Sequence, residues 1–247
     1  MRLTVLGGTG AWPGPGQACS GYLVEHAGYR LLLDPGYATF PQLQRWAKAE
    51  DVDAVYVSHG HPDHCADLNP LLRARVLRDD PVPPLPLSAP RGALDVVLAL
   101  DRPGMLDPGY VRHDFEPGES LTIGPFRART WLLPHSKPNA GVRLEADGVV
   151  LAFTGDTGPS PHLATLARDA DVLIIDSSYA EEVPEDTRGT LLSARQAGEL
   201  AAIADVRRVV LTHLMPEVDD MEALQAASAS FAGPIDVATI GLRVTVP

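Results

Sequence analysis

The segment Ser58-His59-Gly60-His61-Pro62-Asp63-His64 puts three histidines and an aspartate within six residues, directly after the strand-like run Asp53–Val57. Packing has no use for so many ionisable groups in one short stretch, because each carries its own desolvation cost. Imidazole and carboxylate are, however, the ligands a borderline cation such as Zn²⁺ accepts, at about 2.0–2.2 Å. A loop leaving a strand end can turn His59 and His61 toward one point, while Asp63 and His64 reach a neighbouring one. Gly60 and Pro62 suit the tight, non-helical path this needs. The chain must therefore end a buried strand at a polar cleft.

Apolar periodicity supplies more such strands. Leu3–Leu6, Gly21–Glu25, Arg30–Leu33, Asp53–Val57, Phe126–Leu133, Gly141–Glu145, Val149–Phe153, Val172–Ile175 and Val209–Leu211 read as β, with Asp147-Gly148 marking a hairpin. Helical spacing covers Phe40–Ala49, Ala66–Arg73, Gly92–Leu100, His162–Arg168, Ser193–Ala204 and Met221–Phe231. The prolines between Asp79 and Pro90 predict a stiff extended loop. Strands and helices alternate in both halves after an antiparallel start. That order predicts a layered α/β protein, a sheet sandwich with helices outside, as one domain over residues 1–247.

Three further metal-capable residues follow strand-like runs closely. His135 comes after Phe126–Leu133, Asp156 after Val149–Phe153, and His213 after Val209–Leu211. Alone, each would read as a polar residue satisfied at a strand end. Together with the His59–His64 segment they share the edge at which open α/β sheets collect ligands.

In these residues the chain resembles the metallo-β-lactamase superfamily. The HxHxDH motif falls on His59, His61, Asp63 and His64, and the later histidine, aspartate and histidine on His135, Asp156 and His213. The resemblance runs from Leu3 to about Leu242. It implies an αββα sandwich with two divalent metal ions between the sheets, zinc first, manganese or iron also fitting. His59, His61 and His135 would hold one ion, Asp63, His64 and His213 the other, and Asp156 would bridge them. A hydroxide shared by the ions would be the nucleophile, with Asp63 as the catalytic residue that orients it. Within the superfamily, Leu3-Thr4-Val5-Leu6-Gly7-Gly8-Thr9-Gly10 and the segment 158–213 are most similar to ribonuclease Z and to bacterial cyclic-nucleotide phosphodiesterases. A small phosphodiester such as a cyclic nucleotide is then the expected substrate, and a homodimer the implied assembly.

Two departures separate the chain from those relatives. Only 20 residues lie between His135 and Asp156, where many bacterial ribonuclease Z chains carry a tRNA-gripping arm. The related phosphodiesterases also have a histidine near the start of the Ser193–Ala204 helix, at a position that matches Leu191 here. Leucine cannot protonate a leaving group, so ester, lactone or thioester hydrolysis by the same cluster stands as the alternative. Lys137, Tyr179 and Ser193 are substitute proton donors, and Lys137 and Tyr179 are the candidate substrate-binding residues. A metal-binding module without turnover is the third reading.

Composition narrows the partners. A formal charge of −12 and a pI near 5.0 repel long nucleic acid unless a local basic patch or a metal offsets them. No apolar run is long enough to span a bilayer, nothing near Met1 reads as a signal peptide, and Cys19 and Cys65 form no CxxC pair. A cytoplasmic protein acting on a small molecule is expected. The Gly7–Gly10 turn cannot serve a dinucleotide, because Trp12-Pro13-Gly14-Pro15-Gly16 follows where a helix is needed. Cys65 reads as a small buried hydrophobe, and His26, His113 and His162 as surface residues. Asp34 fits equally well as the cap of the Asp34-Pro35-Gly36 turn or as a group that orients a ligand imidazole.

Overall fold

The computed structural model describes residues 1–246. In chain order the first strands are β1 (Arg2–Gly7), β2 (Gly21–His26), β3 (Tyr29–Leu33), β4 (Ala54–Tyr56), β5 (Leu85–Pro90) and β6 (Tyr110–Phe115). They are followed by β7 (Ser120–Ile123), β8 (Phe126–Leu133), β9 (Asn139–Ala146), β10 (Val149–Phe153), β11 (Val172–Asp176), β12 (Val209–Thr212), β13 (Ile235–Val237) and β14 (Arg243–Thr245). One mixed sheet is ordered β14-β1-β2-β3-β4-β5-β6, the other β13-β12-β11-β10-β9-β8-β7.

Side-chain alternation gives each sheet two apolar faces. In β4, Ala54 and Tyr56 face the opposite sheet, while Val55 faces outward. Leu3, Tyr22, Leu31 and Tyr56 of the first sheet meet Phe126, Val142, Phe153 and Ile174 of the second in a dry central core. The Tyr56 hydroxyl crosses that core and donates to the carbonyl of Ala140 at 2.8 Å, so no buried polar atom is stranded there. Helices α1 (Thr39–Leu43), α2 (Pro62–Cys65), α3 (Leu68–Val76) and α4 (Asp95–Leu98) cover the outer face of the first sheet. Helices α5 (His162–Ala167), α6 (Ala194–Ile203) and α7 (Asp220–Ser228) cover the second. The layers run α, β, β, α, as the resemblance implies. No helix among the described residues is long and apolar enough to cross a membrane.

The proline-rich stretch corrects the loop expected over Asp79–Pro90. Its second half is β5, paired in parallel with both β4 and β6. Leu85, Leu87 and Ala89 are fully buried against α3 and α4, so a strand period of two was present beneath the prolines. Proline's fixed φ is compatible with an extended chain, and only the missing N–H argued against a strand. Two helices are shorter than their apolar spacing suggests, namely α1 within Phe40–Ala49 and α4 within Gly92–Leu100. Strands β6, β7, β13 and β14 carry charged or short sequences that periodicity did not single out.

Helices α6 and α7 touch through small residues, Ala194, Ala197 and Ala201 against Ala223, Ala226 and Ala227. At Gly198 the approach is closest, since a Cβ there would lie 2.2 Å from the carbonyl oxygen of Ala227. Gly198→Ala should therefore destabilise despite its better helix propensity, by about 1–3 kcal/mol of overpacking. A lower denaturant midpoint with an unchanged slope checks this.

Candidate metal centre

Strand direction brings the polar residues to one edge. β3 and β4 run parallel, as do β10, β11 and β12, and β8 shares their direction because β9 is antiparallel to both β8 and β10. Asp34 directly follows β3 and the His59 loop leaves β4. His135, Asp156 and His213 come just after β8, β10 and β12, and Asp176 ends β11. The two sheets thus deliver their C-terminal ends into the same cleft.

Seven residues meet there in two groups that share Asp156. His59, His61, His135 and Asp156 form the first; Asp63, His64, His213 and Asp156 form the second. In the first, Nδ1 of His61 lies 3.0 Å from Nε2 of both His59 and His135, and each of those nitrogens lies 3.7 Å from Oδ2 of Asp156. In the second, Nε2 of His213 is 3.2 Å from both Asp63 Oδ2 and Asp156 Oδ2. Nε2 of His64 is 3.1 Å from Asp156 Oδ1 and 3.6 Å from Asp63 Oδ2. Four ligands at about 2.1 Å from a tetrahedral ion lie roughly 3.4 Å apart, so both groups have the size of a cation site.

The hydrogen bonds behind the rings fix where their protons are. Ser58 donates its single hydroxyl proton to Asp34 at 2.5 Å, so it accepts from Nδ1–H of His59 at 3.0 Å. Nδ1–H of His64 donates to Asp34 at 2.7 Å, and Nδ1–H of His135 donates to the carbonyl of Thr190 at 3.0 Å. The Ser178 hydroxyl donates to Asp176 at 2.7 Å, so it accepts from Nδ1–H of His213 at 2.9 Å. In the neutral tautomers these bonds define, Nε2 of His59, His64, His135 and His213 all present lone pairs to the centre. In the first group Nδ1 of His61 faces the Nε2 lone pairs of both His59 and His135 at 3.0 Å, so one ring proton serves at most one of the two contacts, whereas a cation between them would satisfy all three nitrogens. Nε2 of His64 and Oδ1 of Asp156 are buried without a hydrogen-bond partner. The residues present fit two divalent ions.

Without metal, protons take part of that role. Burial opposes charge on His213, but Asp156 and the bond to Asp63 outweigh it and push the imidazole up to about 9. His64 is raised well above the ordinary range by Asp156 and Asp34, again against burial. His59 moves the other way, held well below its usual value by burial and then by the charge on His64. Against burial, His213 and His64 hold Asp156 well below the carboxylate range. Groups whose pKa rises on folding stabilise the fold while protonated, so this contribution fades as pH climbs from about 7 through 9. Metal-free protein should therefore melt at lower temperature at pH 9 than at pH 7. Metal must displace the same protons, so the rise in melting temperature on adding Zn²⁺ should grow over that interval. Thermal melts of stripped and reloaded protein at both pH values check the opposite signs.

Backbone details hold the clustered residues in place. His213 sits at φ 61°, a left-handed conformation rare outside glycine, with its N–H donating to the carbonyl of Gly8 at 2.7 Å. Oδ2 of Asp63 accepts from the backbone N–H of Ala11 at 3.0 Å. Gly36 packs so tightly on the same residue that a Cβ would lie 1.8 Å from the carbonyl oxygen of Asp63.

Asp34 does both things its sequence position allowed, turning the chain at φ 45° and anchoring His64 and Ser58. Asp176 and Ser178 escaped the sequence reading, although Asp176 stands at a strand end like the other acids. Asp176 also accepts from the N–H of Thr157 at 2.9 Å, beside Asp156, and burial pushes its carboxyl up to about 7. Lys137 lies exposed on the β8–β9 loop, and Tyr179 is half-buried, its carbonyl accepting from Ala194. No hydrogen bond among the described residues ties either side chain to the cluster. Ser193 is fully buried and caps α6, its hydroxyl accepting from the N–H of Gln196. Leu191 is half-buried and directly follows Thr190, the partner of His135. Cys65 is buried, with its thiol donating to the carbonyl of His61 and pushed up to about 12 by burial. His113 and His162 are exposed, whereas His26 is largely covered and pairs with Asp147 at 2.8 Å.

Comparison with known proteins agrees with this geometry. The chain is similar to the probable metallo-hydrolase YhfI of Bacillus subtilis, 28% identical with 98% of each chain covered. The crystal structure of YhfI superposes with a TM-score of 0.89 over 98% of both chains. A protein of Mycobacterium leprae is 33% identical, covering 98% of this chain and 87% of its own. Ribonuclease Z of Kineococcus radiotolerans is 30% identical over 294 aligned positions, covering 99% of this chain and 91% of its own. That alignment is longer than the 247 residues here, so the relative carries insertions this chain lacks. Residues 29–214 match the β-lactamase superfamily domain, a span that holds all seven clustered residues from His59 to His213. The chain belongs to the β-lactamase superfamily.

Proposed function

We propose that this metallo-hydrolase holds two divalent ions, zinc suiting the donors best, and cleaves a small phosphodiester such as a cyclic nucleotide. The observation that carries this reading is the pair of residue groups sharing Asp156, the first with the Nε2 atoms of His59 and His135 each 3.0 Å from Nδ1 of His61. The bound metals would acidify a water and neutralise charge on the phosphoryl oxygens. Asp63 keeps one oxygen fixed by Ala11 N–H, which leaves its remaining lone pairs to orient the attacking water and accept its proton. Lys137, two residues past His135 and exposed, and the half-buried Tyr179 are the residues assigned to meet the substrate anion in this reading. The insertions of the ribonuclease Z relative and the charge of −12 here favour a small substrate over precursor tRNA.

Ester, lactone or thioester hydrolysis is the second reading, and Leu191 favours it. A phosphodiester expels an alkoxide that needs a proton, which leucine cannot supply. Metal-loaded enzyme should be assayed on bis(para-nitrophenyl) phosphate, a cyclic nucleotide, an aryl ester and a thioester. Metal-dependent phosphodiester turnover supports the first reading, and ester turnover alone the second. Silence on every substrate leaves a binding module. Leu191→His should raise turnover of alkyl-leaving-group phosphodiesters within the roughly 10²–10⁴-fold span of general acid catalysis, with aryl substrates little changed. Equal wild-type rates on alkyl and aryl substrates would place the proton donor elsewhere.

A further inference from the structure

The outer face of the second sheet changes character beyond α5. Across β7, β8 and β9 it carries Arg127, Arg129 and Arg143, with Arg168 from the end of α5, around a groove floored by Trp131. These four are a fifth of the 20 basic residues in a chain of net charge −12. Acid does not balance them. Glu145 is the carboxylate partner of both Arg127, at 2.8 Å, and Arg143, at 2.7 Å. Arg129 and Arg168 have no ion pair among the described residues. Arg129 and Arg143 are moreover direct partners across the β8–β9 ladder, a like-charge juxtaposition that Glu145 offsets only on the Arg143 side.

Three of the four guanidinium groups have contacts that orient them. Arg143 donates to the carbonyls of Leu166 and Arg168 at 3.2 and 2.6 Å, which anchors it to the end of α5. Arg129 lies over the indole of Trp131, 4.8 Å from its centroid. Arg127 is braced on Glu145. Fixed guanidinium forks with unused N–H groups form bidentate bonds to phosphate and lose little side-chain entropy on doing so. Arg127 and Arg129 are two residues apart on one strand, about 6.8 Å, and facing strands lie about 4.8 Å apart, which is the reach of linked phosphate groups. Ser120 and Thr122 on β7 and Thr165 on α5 add hydroxyls along the walls.

We infer that this groove is a binding site for a small oligophosphate anion, separate from the metal centre. Arg129 and His135 are six residues apart on and beyond β8, about 20 Å along the strand, and the groove lies on the sheet's outer face. Glu145 and Asp169 border the groove, and the strongly acidic surface beyond opposes a long polyanion, so the occupant is a compact di- or triphosphate group.

The test is calorimetric titration of the metal-loaded enzyme with inorganic tripolyphosphate. Wild type, Arg129→Gln, Arg168→Gln and the remote exposed Arg91→Gln are compared, each checked by its melting temperature. Saturable binding that weakens about tenfold or more in each groove variant, but not in Arg91→Gln, is expected. Hydrolytic activity toward aryl substrates should be unchanged in all of them. Equal binding in every variant would assign the anion to the metal centre, and equal weakening in Arg91→Gln would assign it to the general field. Either result, or no binding to wild type, overturns the inference. A protein without hydrolytic activity that still shows the groove-specific loss would leave this inference standing and count only against the proposed reaction.

Discussion

Asp63→Asn should lower turnover of the best substrate by about 10²–10⁴-fold, the contribution of a positioned general base. The amide can keep the bond from Ala11 N–H, so the loop should stay in place. What disappears is the charge that faces His213 at 3.2 Å and the ability to accept a proton from the attacking water. Asp63 keeps some exposure, and replacing one charged acceptor should cost about 1–3 kcal/mol of stability. The expected signature is a large fall in kcat, a well-folded melt and partial metal retention by elemental analysis. Near-wild-type kcat with full metal content would remove Asp63 from catalysis.

Asp156→Ala should be more damaging still, because its carboxylate belongs to both ligand groups. Most of the bound metal should be lost from both positions together, and activity should fall beyond the about 10²–10⁴-fold expected of a single acid–base group. Loss of the central negative charge also leaves His64 and His213 without the group that holds their protons. Both should then titrate at lower pH, which NMR of the metal-free variant would detect. Retention of full metal content would show that the two groups do not depend on a shared ligand.

The clustering of the seven residues was legible in the sequence because coordination chemistry needs particular side chains at particular chain positions. His59, His61, Asp63 and His64 are contiguous, and His135, Asp156 and His213 follow apolar runs whose period marks them as strands. The supporting layer was harder to read. Ser58, Ser178 and the carbonyl of Thr190 are chemically ordinary, and only three-dimensional placement makes them partners of His59, His213 and His135. Asp176 was readable in principle, since Ile175-Asp176 ends a buried strand as the other acids do. Its separation from His213 by 36 intervening residues hid the connection through Ser178. In β5 the difficulty was different, because backbone chemistry that forbids helices was mistaken for chemistry that forbids sheets. The arginine groove was invisible for a third reason: Arg129 and Arg143 become neighbours only when β8 and β9 register.

Asp34 lies on the far side of the cluster from Asp156, and it touches both halves. One of its carboxylate oxygens accepts from Ser58, which sets the ring of His59, and from His64 directly. The sequence of contacts therefore closes on itself, from Asp34 through Ser58, His59, Asp156 and His64 back to Asp34. In a closed circuit of this kind no member can swing without disturbing two others. Were ions to bind in both groups, this circuit predicts that they fill and empty together, and native mass spectrometry across a metal titration should then show little singly loaded species.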